Sequence, residues 1–268
     1  MPIHPHLGAT TLDVGFRASA EPQTLDIRVK TGGVAELPLA PWAIGSLIEC
    51  VNRGLAGGAE LAPWTGSAAL EAGPTGEGAE QPGERGPDYA FRLRVAGISP
   101  RFVRSIVESL ASCARPQACL GVVVVGSLPL DGSPMSVRSS QVAEWLEDAG
   151  AYPQAWGSPG FRLVDEVAAR GAAVRVTLRS ARVDEVAVEL ERSIEAWLSA
   201  ILTMPNLAKT ARGCAAPQAV FARTGADFLA RLELFDHAPG PARAALVNAL
   251  AWLHARVTPI AEARIALP

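Results

Sequence analysis

Asp88-Tyr-Ala-Phe-Arg-Leu-Arg-Val95 has a loose echo in Asp227-Phe-Leu-Ala-Arg-Leu-Glu-Leu234. Asp, Arg and Leu coincide at an offset of 139 residues, from 88 to 227, and an aromatic follows the Asp in both. Ser99-Pro100 and Ala238-Pro239 keep that offset. One inserted residue later, Ile106, Val107, Leu110 and Ala111 correspond to Leu246, Val247, Leu250 and Ala251. Toward the N-terminus, Phe16-Arg17 corresponds to Phe161-Arg162 and Arg28-Val29 to Arg175-Val176. Ile44, Leu47, Ile48 and Val51 correspond to Ile194, Trp197, Leu198 and Ile201. Chance matches scatter in offset, whereas these drift only between 139 and 150. A period this long reads as a duplicated domain-sized unit.

Periodicity gives the elements of that unit. Thr24–Lys30 alternates Leu25, Ile27 and Val29 with Asp26, Arg28 and Lys30, the pattern of a half-buried antiparallel strand. Phe91–Val95, Val174–Leu178 and Phe228–Leu234 alternate likewise, and Leu120–Val125 is apolar enough for a central strand. Ser99-Pro100 is an N-cap with proline at the first helical position, followed by a stripe of Phe102, Val103, Ile106, Val107 and Leu110. Val186, Leu190, Ile194, Trp197, Leu198 and Ile201 mark a long amphipathic helix. A further helix begins near Pro241, with Leu246, Leu250, Leu253 and Val257 inward, and a weaker one covers Pro41–Leu55.

The second half therefore reads strand 173–179, helix 183–203, strand 218–223, strand 227–235, helix 241–256, strand 260–267. This βαββαβ order is the ferredoxin-like split βαβ arrangement. The first half fits the same order with its second strand obscured, and an extra strand is expected before each half, at 11–17 and 160–164. The expected fold is an α+β tandem duplication of ferredoxin-like sandwiches with mainly antiparallel sheets. Its halves are 1–126 and 161–268, joined by a linker at 127–160 that holds a short helix, Gln141–Ala149. Residues 56–88 carry twelve Gly or Pro in thirty-three positions and read as a flexible surface loop.

Composition bounds the function. The 268 residues carry a net charge of −3, with Arg interleaved among Asp and Glu, which disfavours a nucleic-acid surface built on clustered cations. Lysine occurs only at Lys30 and Lys209 beside abundant Ala, Gly, Pro and Arg, a bacterial coding signature. The opening residues lack a basic segment followed by an apolar core, and no apolar run is long enough to span a bilayer, so a cytoplasmic protein with no membrane partner is expected. Cys50, Cys113, Cys119 and Cys214 have no metal-type spacing and read as buried thiols. His4 and His6 form an isolated pair, and no metal or cofactor is expected.

GxSxG, P-loop, GxGxxG and HExxH motifs are all missing. The candidate chemistry is Asp236-His237, at the end of a strand and before the Pro239-Gly240-Pro241 turn, with Arg92 or Arg231 as an anion-binding partner. His254 beside Trp252 is expected to be peripheral. Trp64, in the Gly/Pro-rich stretch, and Trp145 and Trp156, in the linker, are candidates for partner binding or for packing within the chain. The expected function is that of a non-catalytic interaction or binding protein, of the immunity or assembly type, with a protein partner and a capacity to form homodimers through open sheet edges. The alternative is an enzyme or small-molecule binder with a pocket between the halves.

Overall fold

A computed structural model describes residues 11–15, 21–32, 40–55, 62–72, 88–97, 106, 110, 119–126, 135–137, 155–166, 174–201, 219–224, 227–232 and 239–266. The chain is a mixed α+β protein with sheets rich in antiparallel pairs. It divides into two compact units. The first comprises Met1–Ile48, Ser67–Ala151 and Thr203–Pro205, and the second Glu49–Gly66, Tyr152–Leu202 and Asn206–Pro268.

The sheet of the first unit contains β1 (Thr11–Gly15), β2 (Gln23–Gly32), β3 (Ser67–Ala72), β4 (Asp88–Ala96), β5 (Cys119–Gly126) and β6 (Met135–Val137). Its order is β3-β4-β2-β5-β1-β6. β1 and β5 are parallel, and the other pairs are antiparallel. Alternation decides the register. Leu25 lies opposite Leu93 and Ile27 opposite Phe91, all four buried, so that a slip of one residue would expose the whole set. Ile106 and Leu110 are helical and fully buried, on the apolar stripe expected after Ser99-Pro100.

Helix α1 (Ala40–Asn52) crosses the unit boundary, and its end is set by Gly54. At φ +73° Gly54 lets Leu55 N donate to Cys50 O at 2.9 Å and its own N donate to Val51 O at 3.0 Å. These are the two bonds of a Schellman cap, closed by buried Cys50 and Leu55. A Cβ at Gly54 would stand 2.4 Å from Trp252 Cβ, so the turn and the packing demand the same residue.

In the second unit, β7 (Arg162–Asp165), β8 (Val174–Ser180), β9 (Ala219–Thr224), β10 (Asp227–Leu232) and β11 (Ile260–Ala266) form a sheet of order β7-β11-β8-β10-β9. β7 and β11 are parallel, and the other pairs are antiparallel. Taken from the parallel pair outward, β1-β5-β2-β4-β3 and β7-β11-β8-β10-β9 have the same succession of strand directions.

Helix α2 (Val183–Ile201) starts with Asp184 and Glu185, where carboxylates favour the helix dipole. It buries Val186, Leu190, Ile194 and Trp197 along one stripe, each burial stabilising by about 1.5–3 kcal/mol. Helix α3 (Pro239–Arg256) is buried on every side from Ala244 to Ala251. It packs against α2, β11 and a 3-10 turn at Pro63–Thr65.

That 3-10 turn and β3 both fall within 56–88, so the flexible-loop expectation does not hold for residues 62–72. Pro63 is buried at the first turn position, and Thr65 closes the turn by donating Oγ1 to Ala62 O at 2.6 Å. Ser67–Ala72 becomes a strand through its ladder with β4, although Ser-Ala-Ala-Leu-Glu-Ala alternates poorly. β6 lies in the stretch read as a linker, and the expected helix at Gln141–Ala149 lies outside the described residues.

Candidate interaction site

The burial of Leu25, Ile27, Val29, Phe91, Leu93 and Val95 places the intervening residues of β2 and β4 on the opposite face of the first sheet. There the register sets Asp26 across from Arg92, Arg28 across from Ala90, and Arg94 between Thr24 and Ala69. A bulge in β3 between Leu70 and Ala72 brings Ala72 opposite Arg92. Arg92 Nε donates to Asp26 Oδ1 at 2.8 Å in an exposed ion pair. The hydrogen bond, and then the charge of Asp26, raise the already high guanidinium pKa, so Arg92 is a permanent cation. Alanines between long side chains leave a depression of about 220 Å³, lined by Asp26, Arg28, Arg92, Ala72 and Ala90.

The second unit carries an aromatic cluster. Trp64, in the 3-10 turn, meets Trp156 edge to face with ring centroids 5.8 Å apart and planes at 85°. Such a pair contributes about 0.5–1.5 kcal/mol beyond its buried area. Arg256 donates to the Trp64 carbonyl twice, from Nη2 at 2.6 Å and Nε at 3.2 Å. On the other side Trp156 N donates to Oδ1 of the fully buried Asn248 at 2.8 Å. Both rings are half-buried, and Arg256 is exposed.

Of the residues singled out by sequence, the structure brings Trp64 and Trp156 together and places Arg92 on the first sheet. Arg231 sits in β10 opposite Val220. Asp236, His237 and Trp145 lie outside the described residues. The sequence did not single out Asp26 and Arg28 as site residues, although the alternation of β2 put both on its charged side. Arg256 carried no such signal, because its partner is a backbone carbonyl 192 residues away.

Two further groups have structural employment. His254 is half-buried. Its Nδ1 lies 2.9 Å from Ile260 N and 3.1 Å from Ile260 O, and its ring is 5.5 Å from Phe161. Gly160, at φ +87°, passes so close that a Cβ would be 3.2 Å from His254 Nε2. The ring thus ties α3 to the start of β11 and to the entry of β7. Cys50 donates Sγ to Ala196 O at 3.6 Å, and burial, reinforced by Glu49, pushes its thiol far up. It therefore stays protonated and is a poor nucleophile. Among the described residues no three His, Cys, Asp or Glu side chains converge as metal ligands, and no helix is long and apolar enough to cross a membrane.

No family model, curated protein or solved structure matches this chain.

Proposed function

We propose that the protein is a non-catalytic interaction protein that binds a protein partner through the Trp64–Trp156–Arg256 cluster of its second unit. The observation that carries this reading is the preorganisation of two partly buried tryptophans beside an exposed arginine. Trp and Arg are the residue types that dominate binding hot spots, and rings fixed before binding lose little entropy on contact. Here the Trp64 carbonyl is held by Arg256, its turn is closed by Thr65 on Ala62 O, and the Trp156 backbone is held by Asn248. Trp145 is proposed as a further contact of the same partner.

We also infer that the two units are copies of one ferredoxin-like βαββαβ unit, each preceded by an additional strand. The support is the order β8-α2-β9-β10-α3-β11 in the second unit and the equal strand positions in the first. The offset of 139 residues agrees, because it aligns β4 with β10 and Arg92 with Arg231.

The test of the interaction reading is a comparison of Trp64→Ala and Trp156→Ala with the unchanged protein. Partners are crosslinked in the source cells, identified and remade in pure form, and their binding is measured by calorimetry. A hot-spot role predicts a loss of at least about 2 kcal/mol of binding energy for each variant. Thermal melts of the variants separate this loss from unfolding. A pure partner held equally well by folded Trp64→Ala protein would refute the reading.

A further inference from the structure

We propose that the outer face of the first sheet is an acceptor for an acidic protein segment, with the depression between Arg28 and Arg92 as the pocket for one carboxylate side chain. This site lies in the other unit and stands whether or not the aromatic cluster binds anything.

The cations of this face are under-used. Asp26 takes Nε of Arg92 and, among the described residues, no partner takes its two Nη groups. Arg28 and Arg94 are exposed and have no ion pair among the described residues. Among the described side chains of this face, three arginines stand with two carboxylates, Asp26 and Glu71, on a chain whose net charge is −3. The geometry is that of a fork held ready, because the Asp26 bond fixes the Arg92 plane from one side and leaves the Nη edge for a second, bidentate carboxylate. Arg28 stands across the depression, where Ala72 and Ala90 clear the space between them.

Size and charge choose the occupant. A depression of about 220 Å³ admits a carboxylate with its methylene groups but is too small for a nucleotide. Asp26 and Glu71 would repel successive phosphates of a nucleic acid, whereas a protein segment can turn its own N–H groups toward them. The occupant is thus a protein segment that presents an Asp or Glu side chain to the two arginines.

The experiment uses the full chain and a short synthetic peptide alternating Glu with Val. Its comparators are the same peptide with Lys for Glu, a short oligothymidylate, and inorganic phosphate. Binding is followed at low salt by calorimetry and by the Nε–H resonances of the arginines. The Glu peptide is expected to bind, to shift the Arg28 and Arg92 resonances, and to weaken as salt rises. Arg28→Gln with Arg92→Gln should lower its affinity by about tenfold or more, as loss of a bidentate pair does, while the melting temperature stays near that of the parent. Binding of the Glu peptide to the double variant at undiminished affinity would overturn the proposal. So would equal binding of the Lys peptide, tighter binding of the oligothymidylate, or phosphate alone competing at the peptide's own concentration.

Discussion

Cys50 shows how one buried group couples the fold to pH. Its thiol is enclosed at the end of α1, and desolvation raises its pKa in the folded chain, with the charge of Glu49 adding to the effect. In the unfolded chain a thiol ionises near about pH 8.5. Below that pH both states hold the proton and stability is unaffected. Above it the unfolded state releases the proton while the folded state keeps it, so stability falls as pH rises, by at most about 1.4 kcal/mol per pH unit. Urea unfolding at pH 8, 9 and 10 should therefore show a decline that Cys50→Ala lacks. Parallel curves for parent and variant would mean that the thiol is not enclosed. Native Cys50 should also resist alkylation until urea is added.

At the scale of elements, α3 is the part whose sequence pattern says least about its surroundings. Leu246, Leu250 and Leu253 mark one apolar stripe, yet Ala244, Ala245, Ala249, Ala251 and Asn248 are equally buried. Small residues fill the other sides because α2 and the 3-10 turn also approach the helix. Asn248 is the polar member of that enclosure and holds the Trp156 backbone. Asn248→Leu keeps the volume but removes the acceptor, and should cost about 1–3 kcal/mol in a urea melt. The exposed Ala255→Ser on the same helix should stay within about 0.5 kcal/mol of the parent. Equal midpoints for the two variants would show that the Trp156–Asn248 bond carries no stability.

The contrast between β2 and β3 explains what could be foreseen. β2 and β8 announce themselves, since β-branched and leucine side chains alternate with charges and the core follows. Ser-Ala-Ala-Leu-Glu-Ala does not, because its strand state comes from the ladder offered by β4 and not from its own side chains. The candidate sites divide along the same line. The charged face of β2 and β4 was legible, but the facing of Asp26 and Arg92 needs the register. Trp64 and Trp156 were legible as unusual residues, but their contact spans ninety-two residues and no local pattern encodes it.

For the whole molecule, the decisive feature is that a piece of the first half of the sequence completes the second unit. Glu49–Gly66 brings Arg53 to Glu189 at 3.1 Å, Gly54 against Trp252, and Trp64 to both Trp156 and Arg256. A cut placed in sequence order, keeping only 152–268, would strip these contacts and expose the enclosed flank of α3. Buried apolar area converts to stability at about 25 cal/mol per Å², so losing the cover of a whole helix side removes a large share of the few kcal/mol that a small domain holds in reserve. A fragment of residues 152–268 should therefore unfold non-cooperatively or aggregate. The same fragment carrying residues 49–66 on a flexible linker should regain a single sharp transition, measured by circular dichroism. Within the rescued fragment, Trp64→Ala should lower the melting temperature, because the ring packed edge to face on Trp156 is lost even though the carbonyl bound by Arg256 remains. Cooperative folding of 152–268 by itself, unaffected by added 49–66, would show that the C-terminal stretch folds without the crossing segment, which would then be an accessory.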